Sequence, residues 1–385
     1  MSSTFLETAD RIAARICRDA IWAGDRCNWI GGYTESASTI VHRALTPDVY
    51  SGTSGIALVL LHLFEATGEK IFRLTAEGAL RQALGKEAEL RAARRFGFFD
   101  GLAGVAYVAA MVAHHRDEAL RIAGDLPTEE SRLDIINGSA GTIAALLALH
   151  RQCGADFLLE RAVEHANLLV TQANRGADGW SWKTVESGNR DLTGFAHGTA
   201  GIAWALLGAF EATGDATLRE AAVEGFRYER THFLPEQQNW PDFRHPGKPA
   251  GAVMWCHGAP GIGFSRLRAW KVLGEDVYRE EVVTAIRTTS RWLDENPQAN
   301  FSLCHGRAGN AGLLLYAARE LADPDLLAKA RSVAEEGIDQ YERERVPWPC
   351  GVPGGDETHD LMLGLAGIAY FYLQIQAAVN PESAC

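Results

Sequence analysis

The sequence predicts an all-α protein, an α/α toroid in which seven inner helices surround an axis and seven outer helices surround the inner ones. Two observations predict this class. A Gly-x-x-Gly step followed by an apolar run occurs seven times, and the first glycines of successive steps lie 37 to 60 residues apart. Amphipathic stretches of helical period lie between these runs. Recurrence at such a period indicates stacked supersecondary units. An open solenoid is the structural alternative, although solenoid repeats are shorter and more uniform.

The inner helices are predicted from the seven steps, which share two glycines three residues apart at the start of an apolar run. The first glycines are Gly52, Gly101, Gly138, Gly198, Gly258, Gly306 and Gly364. A run such as residues 56–61 has no polar face, which is typical of a helix that is buried on most sides. Small residues at the start of these helices would let neighbouring helices approach closely.

The outer helices are predicted from stretches in which apolar and charged residues alternate on the 3.6-residue period. These stretches are residues 6–22, 155–173, 216–233, 277–293 and 326–341. Gly68, Gly214 and Gly274 follow three of the apolar runs, at the position where a C-cap glycine ends a helix. Strand signals are weak throughout the chain.

The bulk properties limit the class of protein. The chain has 385 residues and is predicted to form one domain, residues 1–385. Its formal net charge of −12 argues against nonspecific nucleic-acid binding, which needs a basic face. The sequence shows neither a signal peptide nor the ~18 uninterrupted apolar residues of a membrane helix. Its seven cysteines are odd in number and scattered. We therefore expect a cytoplasmic protein without structural disulfides.

Two of the seven steps begin with Cys-His-Gly. Thiolate and imidazole are preferred zinc ligands, and catalytic zinc usually has three protein ligands and one open position. Cys256 and Cys304, with one or both of His257 and His305, supply three such ligands. Neither step has the CxxC spacing of a structural zinc finger. The alternative is two buried cysteines beside capping histidines, since a free cysteine is usually a small buried hydrophobe.

The residue before the first glycine of each step is predicted to face a common mouth at the helix N-termini. These residues are Ser51, Asp100, Asn137, His197, His257, His305 and Leu363. Helix N-capping is the alternative role, and it suits Ser51, Asp100 and Asn137 better than it suits the histidines.

Three long loops, residues 176–193, 235–252 and 345–360, are predicted to form rims around this mouth, because loops of such length are often functional. Their tryptophans are Trp180, Trp182, Trp240 and Trp348. Arg244 and Lys248 either contact a carboxylate-bearing ligand or are solvated loop charges.

The seven steps, together with Trp-Cys-His-Gly and Cys-His-Gly, resemble the lanthionine synthetase C family over nearly the whole chain. Residues 194–198, 239–244 and 350–355 look like the cyclase domain of class II lanthipeptide synthetases. The resemblance implies one catalytic zinc ion per chain and the joining of peptide Cys thiols to dehydroalanine or dehydrobutyrine as thioether rings. Such synthetases carry a dehydratase domain ahead of the cyclase, and this chain starts at Met1 without one. The expected partners are therefore a dehydrated precursor peptide and a separate dehydratase.

The resemblance also assigns site residues. It places the zinc ligands at Cys256, Cys304 and His305, the catalytic histidine at His197 and the catalytic-site aspartate at Asp134. The position after the first zinc cysteine is His257, as in many members of the family. Ala252 stands where some peptide cyclases have an arginine, which leaves open what helps to stabilise the enolate.

The chemistry gives these residues roles. A zinc-coordinated thiol is deprotonated, and the thiolate can add to the β-carbon of a dehydro residue. The α-carbon then needs a proton, which histidine is suited to deliver near neutral pH. We predict that His197 is this donor and that Asp134 is its partner, with His257 as the competing donor.

Three other functions stay open. Eukaryotic-type members of the family are expected to add glutathione with the same zinc. A zinc-dependent prenyltransferase or terpene-cyclase-like α/α barrel would require an Asp-Cys-His zinc set or an acidic diphosphate motif, and no Asp-rich run is visible. A non-catalytic binding module would only present a peptide to a dehydratase.

Overall fold

The computed structural model describes residues 4–36, 39–129, 132–185, 190–244 and 250–380, which are mostly helical. The helices of these residues are α1 (Thr4–Arg18), α2 (Thr53–Thr67), α3 (Lys70–Leu84), α4 (Glu87–Ala92), α5 (Leu102–Ala110), α6 (Arg116–Gly124), α7 (Ser139–Cys153), α8 (Asp156–Thr171), α9 (Thr199–Thr213), α10 (Ala216–Thr231), α11 (Ala259–Leu273), α12 (Asp276–Glu295), α13 (Arg307–Leu321), α14 (Pro324–Gly337) and α15 (Leu365–Val379). Short 3₁₀ and π segments follow α5 and α14. Within these ranges, no helix is long and apolar enough to cross a lipid bilayer.

Each Gly-x-x-Gly step opens a helix, as predicted. We call these the step helices: α2, α5, α7, α9, α11, α13 and α15. They are apolar on most faces, and in α2 the side chains of Ile56, Val59 and Leu60 are fully buried. The flanking helices are α1, α3, α6, α8, α10, α12 and α14. They are amphipathic: α1 buries Ile12 while Glu7 stays exposed. The predicted number, seven of each kind, is therefore confirmed in the described part of the chain, where the six-residue α4 is one additional short helix.

The chain forms two compact units, Met1–Glu87 with Leu293–Cys385 and Ala88–Trp292. In the first unit, α15 packs against α1, α2 and α13, while α2 and α13 each pack against the flanking helix that follows. In the second unit, α5, α7, α9 and α11 pack against one another in chain order, and the first three each pack against the next flanking helix. The single domain over residues 1–385 stays a prediction.

The glycines of the steps are required because the loop before each step helix folds back onto the helix N-terminus. The first glycine is the helix N-cap residue in all seven steps. A Cβ on Gly52 would overlap the backbone of Thr46, with which it forms a β-bridge. A Cβ on the second glycine Gly201 would overlap the Phe195 carbonyl and crowd Ile135 of the preceding step. The sequence predicted a close approach of neighbouring helices at these glycines, whereas the atoms nearest to Gly52 and Gly201 belong to loops.

The observed helix ends differ from some of the predicted caps and agree with others. Ser51, Asp100 and Asn137 do not occupy the N-cap position, because the crowded backbone reserves that position for the following glycine. Gly68 and Gly214 end their helices with left-handed φ values of 74° and 73°, as predicted, and Gly274 does the same. The first predicted flanking helix, residues 6–22, is wrong at its end, since α1 stops at Arg18.

Gly201→Ala is expected to lower the free energy of unfolding by about 1–3 kcal/mol or more, because the added methyl group overpacks a site closed by backbone. Gly312 in α13 is the matched control, since a Cβ there meets nothing within 4 Å. Gly312→Ala should raise stability by up to about 1 kcal/mol through helix propensity alone. Urea unfolding measures both changes, and equal effects of the two variants would contradict this account of the steps.

Strands occur despite weak sequence signals, as three antiparallel pairs in the described residues. They are β1 (Ile21–Ala23) with β2 (Arg26–Asn28), β3 (Ile30–Ser36) with β4 (Thr39–Ala44), and β5 (Asn174–Gly176) with β6 (Gly179–Ser181). Most are only three residues long, which is too short for an alternating pattern to stand out.

The tryptophans of the three long loops are buried rather than exposed at a rim. Trp182, Trp240 and Trp348 are at most 1% exposed. The indole N–H of Trp182 donates to the Leu169 carbonyl, and that of Trp348 donates to the Glu342 carboxylate. Trp182 and Trp348 therefore anchor their loops in the core, because a large aromatic ring gains most by burial when its polar N–H is also bonded.

Candidate functional site

The loops that precede α7, α9 and α11 lie side by side in the second unit. Ile135 N–H donates to the Ala196 carbonyl at 3.2 Å. The N–H groups of Phe195 and Ala196 both donate to the Cys256 carbonyl, at 3.2 and 3.0 Å. These bonds bring three predicted site residues from distant parts of the sequence, Asp134, His197 and Cys256, onto adjoining loops.

His197 and Asp134 form a hydrogen-bonded pair. His197 Nδ1 lies 2.8 Å from Asp134 Oδ2. The Asp134 side chain is 2% exposed and the His197 side chain 28% exposed. A carboxylate only accepts hydrogen bonds, so His197 Nδ1 carries a hydrogen and Nε2 is the nitrogen that exchanges a proton. The arrangement is a partly exposed imidazole held in one tautomer by a buried carboxylate.

Asp134 is itself held by its own turn. Its Oδ1 accepts the Asn137 N–H at 2.8 Å. In the amide orientation that satisfies the local hydrogen bonds, Asn137 Nδ2 donates to both Asp134 oxygens, at 2.7 and 2.8 Å. Asp48 and Asp360 make the same turn in their own steps, by accepting the N–H three residues later. The Asp-x-x-x-Gly spacing therefore indicates a turn, and Asp134 in addition pairs with His197 across the loops.

His257 is placed differently from His197, although their ring centroids are 6.2 Å apart. Its side chain is fully buried, and its Nδ1 lies 3.3 Å from the Thr193 carbonyl. Burial, aided by the positive charge of Arg244, lowers the pKa of His257 to about 3. The ring is thus neutral at neutral pH, and the Asp242 oxygen 3.9 Å away does not form an ion pair with it.

Arg244, predicted either to meet a ligand or to be solvated, pairs with a residue of its own loop. Its guanidinium donates to both carboxylate oxygens of Asp242, with the shortest distance 2.7 Å. Burial raises the pKa of Asp242, but the hydrogen bonds from Arg244 outweigh it and hold the value at about 2. The pair therefore stays ionised and fixes the loop beside His257. Lys248 lies outside the described residues.

Two buried side chains to which the sequence assigned no role hold these loops. Glu229 of α10 is fully buried, and its Oε1 accepts the N–H groups of Gly194 at 3.1 Å and Ala200 at 2.7 Å. Asn239 supports α11 in the same way, since its Oδ1 accepts the Ala259 N–H at 2.8 Å. A glutamate on a flanking helix looks solvated in the sequence, and only the loop packed over it shows its role.

Glu229→Gln is expected to remove a pH-dependent loss of stability. Burial raises the pKa of Glu229 from 4.5 to about 8, although Arg266 lowers it. Because the folded protein binds this proton more tightly, the stability that Glu229 contributes is present below about pH 4.5 and is lost as the pH rises to about 8. One pKa unit corresponds to about 1.4 kcal/mol, so the loss is a few kcal/mol. Urea unfolding at pH 5 and pH 8 should show a smaller drop in the variant; identical drops would refute the assignment.

The first unit carries the second Cys-His pair. Cys304 is 4% exposed and accepts a hydrogen bond from the Tyr50 hydroxyl at 2.9 Å. His305 Nε2 donates to the Gly351 carbonyl at 3.0 Å, so the lone pair of the neutral ring lies on Nδ1. A Cβ on Gly351 would stand 2.9 Å from His305 Nε2, which explains why glycine occupies this position.

The donor set of Cys256, Cys304 and His305 fits zinc chemically. Two sulfur atoms and one imidazole suit Zn²⁺, and an imidazole whose other nitrogen donates to a carbonyl is typical of metal-binding histidines. Cys256 is buried, at 8% exposure. In the described ranges, no three His, Cys, Asp or Glu side chains are gathered as a ready metal site. Zinc binding by these residues stays a prediction.

The other cysteines do not join this set. Cys17, Cys27, Cys153 and Cys350 are free thiols, and Cys385 lies outside the described residues. Burial raises the pKa of Cys17 to about 11 and those of Cys27 and Cys350 to about 12. These three thiols are therefore poor nucleophiles at neutral pH. The absence of structural disulfides in the whole chain stays a prediction.

The chain is similar in sequence to a protein family and to individual members of it. The family model described as "Lanthionine synthetase C-like protein" matches residues 43–383. Glutathione S-transferase LANCL1 of Danio rerio is 25% identical over 358 residues, which cover 87% of this chain and 84% of that protein. The lacticin 481/lactococcin biosynthesis protein LcnDR2 of Lactococcus lactis subsp. lactis is 25% identical over 381 residues, 90% of this chain but 38% of that longer protein.

Nisin cyclase is a similar solved structure. It has a TM-score of 0.68 at 15% identity, with 97% of this chain and 94% of that chain covered. A likeness at this identity concerns the fold. It confirms the all-α class of α/α type that the seven steps predict.

Proposed function

Because the chain belongs to the lanthionine synthetase C-like family, we propose that it is a zinc-dependent peptide cyclase. It adds cysteine thiols of a ribosomally made peptide to dehydroalanine or dehydrobutyrine residues and so forms lanthionine or methyllanthionine rings. The observation that carries the proposal is the Asp134–His197 pair on a loop bonded to that of Cys256. The names of nisin cyclase and the lacticin 481 biosynthesis protein support a peptide substrate.

Cys256, Cys304 and His305 would hold the zinc ion, which when bound supplies the Lewis acidity that deprotonates a substrate thiol. The residues around these ligands fix their geometry. The Gly351 carbonyl accepts a hydrogen bond from His305 and orients its ring, and the Tyr50 hydroxyl donates a hydrogen bond to Cys304 Sγ. Such partners typically decide how well a metal site is preorganised.

His197 is the proposed proton donor. As the thiolate sulfur bonds to the β-carbon, the π electrons of the dehydro residue move towards its carbonyl oxygen and leave an enolate. The protonated His197 then gives the Nε2 proton to the α-carbon, and solvent later restores it. The buried Asp134 carboxylate balances the charge of the imidazolium and fixes the ring. His197 is preferred over His257 because its side chain is 28% exposed, whereas that of His257 is fully buried.

His257 would then act as support. The Gly194 backbone lies against it, and a Cβ there would stand 3.0 Å from His257 Nδ1. The loop that carries His197 is thereby held between His257 and Glu229. The partners of the cyclase would be a dehydrated precursor peptide and a separate dehydratase, and its location the cytoplasm.

Glutathione addition is the second candidate. The Danio rerio relative is named a glutathione S-transferase, and the match covers 84% of it. The same pair His197 and Asp134 would serve, with the thiol coming from glutathione instead of the peptide. A non-catalytic module that presents a peptide to a dehydratase is the third candidate, and the intact proton-donor pair argues against it.

The test is a synthetic peptide that carries one dehydroalanine and one cysteine, incubated with and without the protein at the same pH. Ring closure leaves the mass unchanged but removes the free thiol, which maleimide labelling and mass spectrometry detect. Acceleration over the uncatalysed ring closure supports the cyclase. No acceleration of ring closure, combined with faster addition of glutathione, would replace it by the second candidate.

A further inference from the structure

Tyr50 occupies in the first step the place that Cys256 and Cys304 occupy in theirs, two residues before the first glycine. In the first unit, the loops that precede α2, α13 and α15 are joined by backbone hydrogen bonds. Cys304 N–H donates to the Met362 carbonyl, and Met362 N–H donates to the Tyr50 carbonyl, both at 2.9 Å. Three loops therefore lie side by side, and the Tyr50 side chain reaches back to the Cys304 side chain.

The contact is a hydrogen bond to sulfur. Tyr50 Oη lies 2.9 Å from Cys304 Sγ, and Cys304 is 4% exposed. A thiolate has no hydrogen to offer, so once Cys304 is ionised the hydroxyl of Tyr50 must be the donor. A hydrogen bond to an ionised acceptor is about twice as strong as one between neutral groups.

We propose that Tyr50 is a positioning residue that keeps Cys304 a ligand and prevents it from acting as a nucleophile. The inference rests on the proposed zinc site. With zinc bound, the Cys304 thiolate would compete with the substrate thiolate for the same electrophile, the dehydro residue. Donation from the Tyr50 hydroxyl withdraws electron density from the sulfur, and thiolates of lower basicity are weaker nucleophiles.

The reaction that Tyr50 suppresses is self-alkylation. Cys304 Sγ would form a bond to the β-carbon of the dehydro residue, and the π electrons would move to the α-carbon, which takes a proton from solvent. The product is a thioether between protein and substrate, which costs the site a thiolate ligand. A cyclase that meets dehydro residues at every turnover needs protection against this.

The experiment compares wild type and Tyr50→Phe, both loaded with zinc, in the presence of N-acetyl-dehydroalanine methyl ester. Phenylalanine keeps the ring, which lines a cavity of about 150 Å³ together with Leu45 and Leu363. Digestion and mass spectrometry give the rate of alkylation at Cys304. We expect it to rise about 10-fold in the variant, the factor of one charge-assisted hydrogen bond. Tyr372→Phe is the matched control, since it removes a buried hydroxyl that donates to the Ala334 carbonyl and should leave the rate unchanged.

A double-mutant cycle in metal-free protein tests the same inference. If Tyr50 acts through Cys304, Tyr50→Phe lowers stability less in a Cys304→Ala background than in wild type. Equal effects in both backgrounds, or equal alkylation rates in wild type and Tyr50→Phe, would overturn the role of Tyr50. Neither measurement uses cyclisation. A wild type that closes no ring would therefore sink the proposed function while leaving the Tyr50 result standing.

Discussion

His197→Asn is expected to keep the fold and the bound zinc while slowing ring closure by about 10²–10⁴-fold, the usual worth of positioned acid–base catalysis. The enolate must then take its proton from water. Asparagine preserves a hydrogen-bond donor towards the Asp134 carboxylate, which accepts from His197 Nδ1 at 2.8 Å. The measurement is the rate of thiol loss from a dehydrated peptide under saturating protein. The stereochemistry at the new α-carbon must be followed as well, because uncatalysed thiol addition competes with the catalysed reaction.

Two outcomes of this variant would contradict the proposal. Loss of zinc from His197→Asn would show that His197 is a ligand and that the proposed set is incorrect. Full rate with zinc retained would move the proton donor to His257 or to water. Asp134→Asn provides the matched comparison, because it leaves His197 in place but removes the carboxylate that fixes its tautomer. It should slow ring closure without releasing zinc.

Cys304→Ala is expected to abolish stoichiometric zinc binding and reduce ring closure to the uncatalysed rate. One of the three proposed ligands is lost, and with it a thiolate that binds zinc strongly. The readout is elemental analysis of the purified protein, with one zinc ion per chain in wild type. Cys350→Ala is the control, since Cys350 is a buried thiol of the same unit whose Sγ lies 3.9 Å from the Thr358 carbonyl oxygen. That variant should keep its zinc.

A wild type without zinc, or a Cys304→Ala protein with undiminished zinc, would remove Cys304 from the metal site. A Cys304→Ala protein that loses zinc yet closes rings at full rate would show that the reaction needs no metal. In that case, His197 and Asp134 would have to account for the acceleration by themselves.

The sequence by itself determined the repeated architecture. Gly52 and Gly201 belong to steps whose structure is determined by nearby residues. Each step folds its own loop onto the helix that follows, and a side chain larger than that of glycine would overlap this loop. The helix number, the three C-cap glycines and the all-α class follow from such patterns, because hydrophobic period and glycine placement are properties of short segments. The sequence also predicts Cys256, Cys304 and His305 as candidate zinc ligands, since the preference of zinc for thiolate and imidazole depends on residue type.

Only the tertiary structure decided which side chains meet and which are shielded from water. Asp134 and His197 are 63 residues apart in the chain and pair across two loops. His257 and His197 stand at the same position of successive steps, yet the side chain of His257 is fully buried and that of His197 is partly exposed. The sequence suggests that Glu229 is a surface charge, whereas in the structure it is buried and accepts a hydrogen bond from the Gly194 N–H. Burial and hydrogen-bond partners depend on how distant loops pack, and no local pattern carries that information.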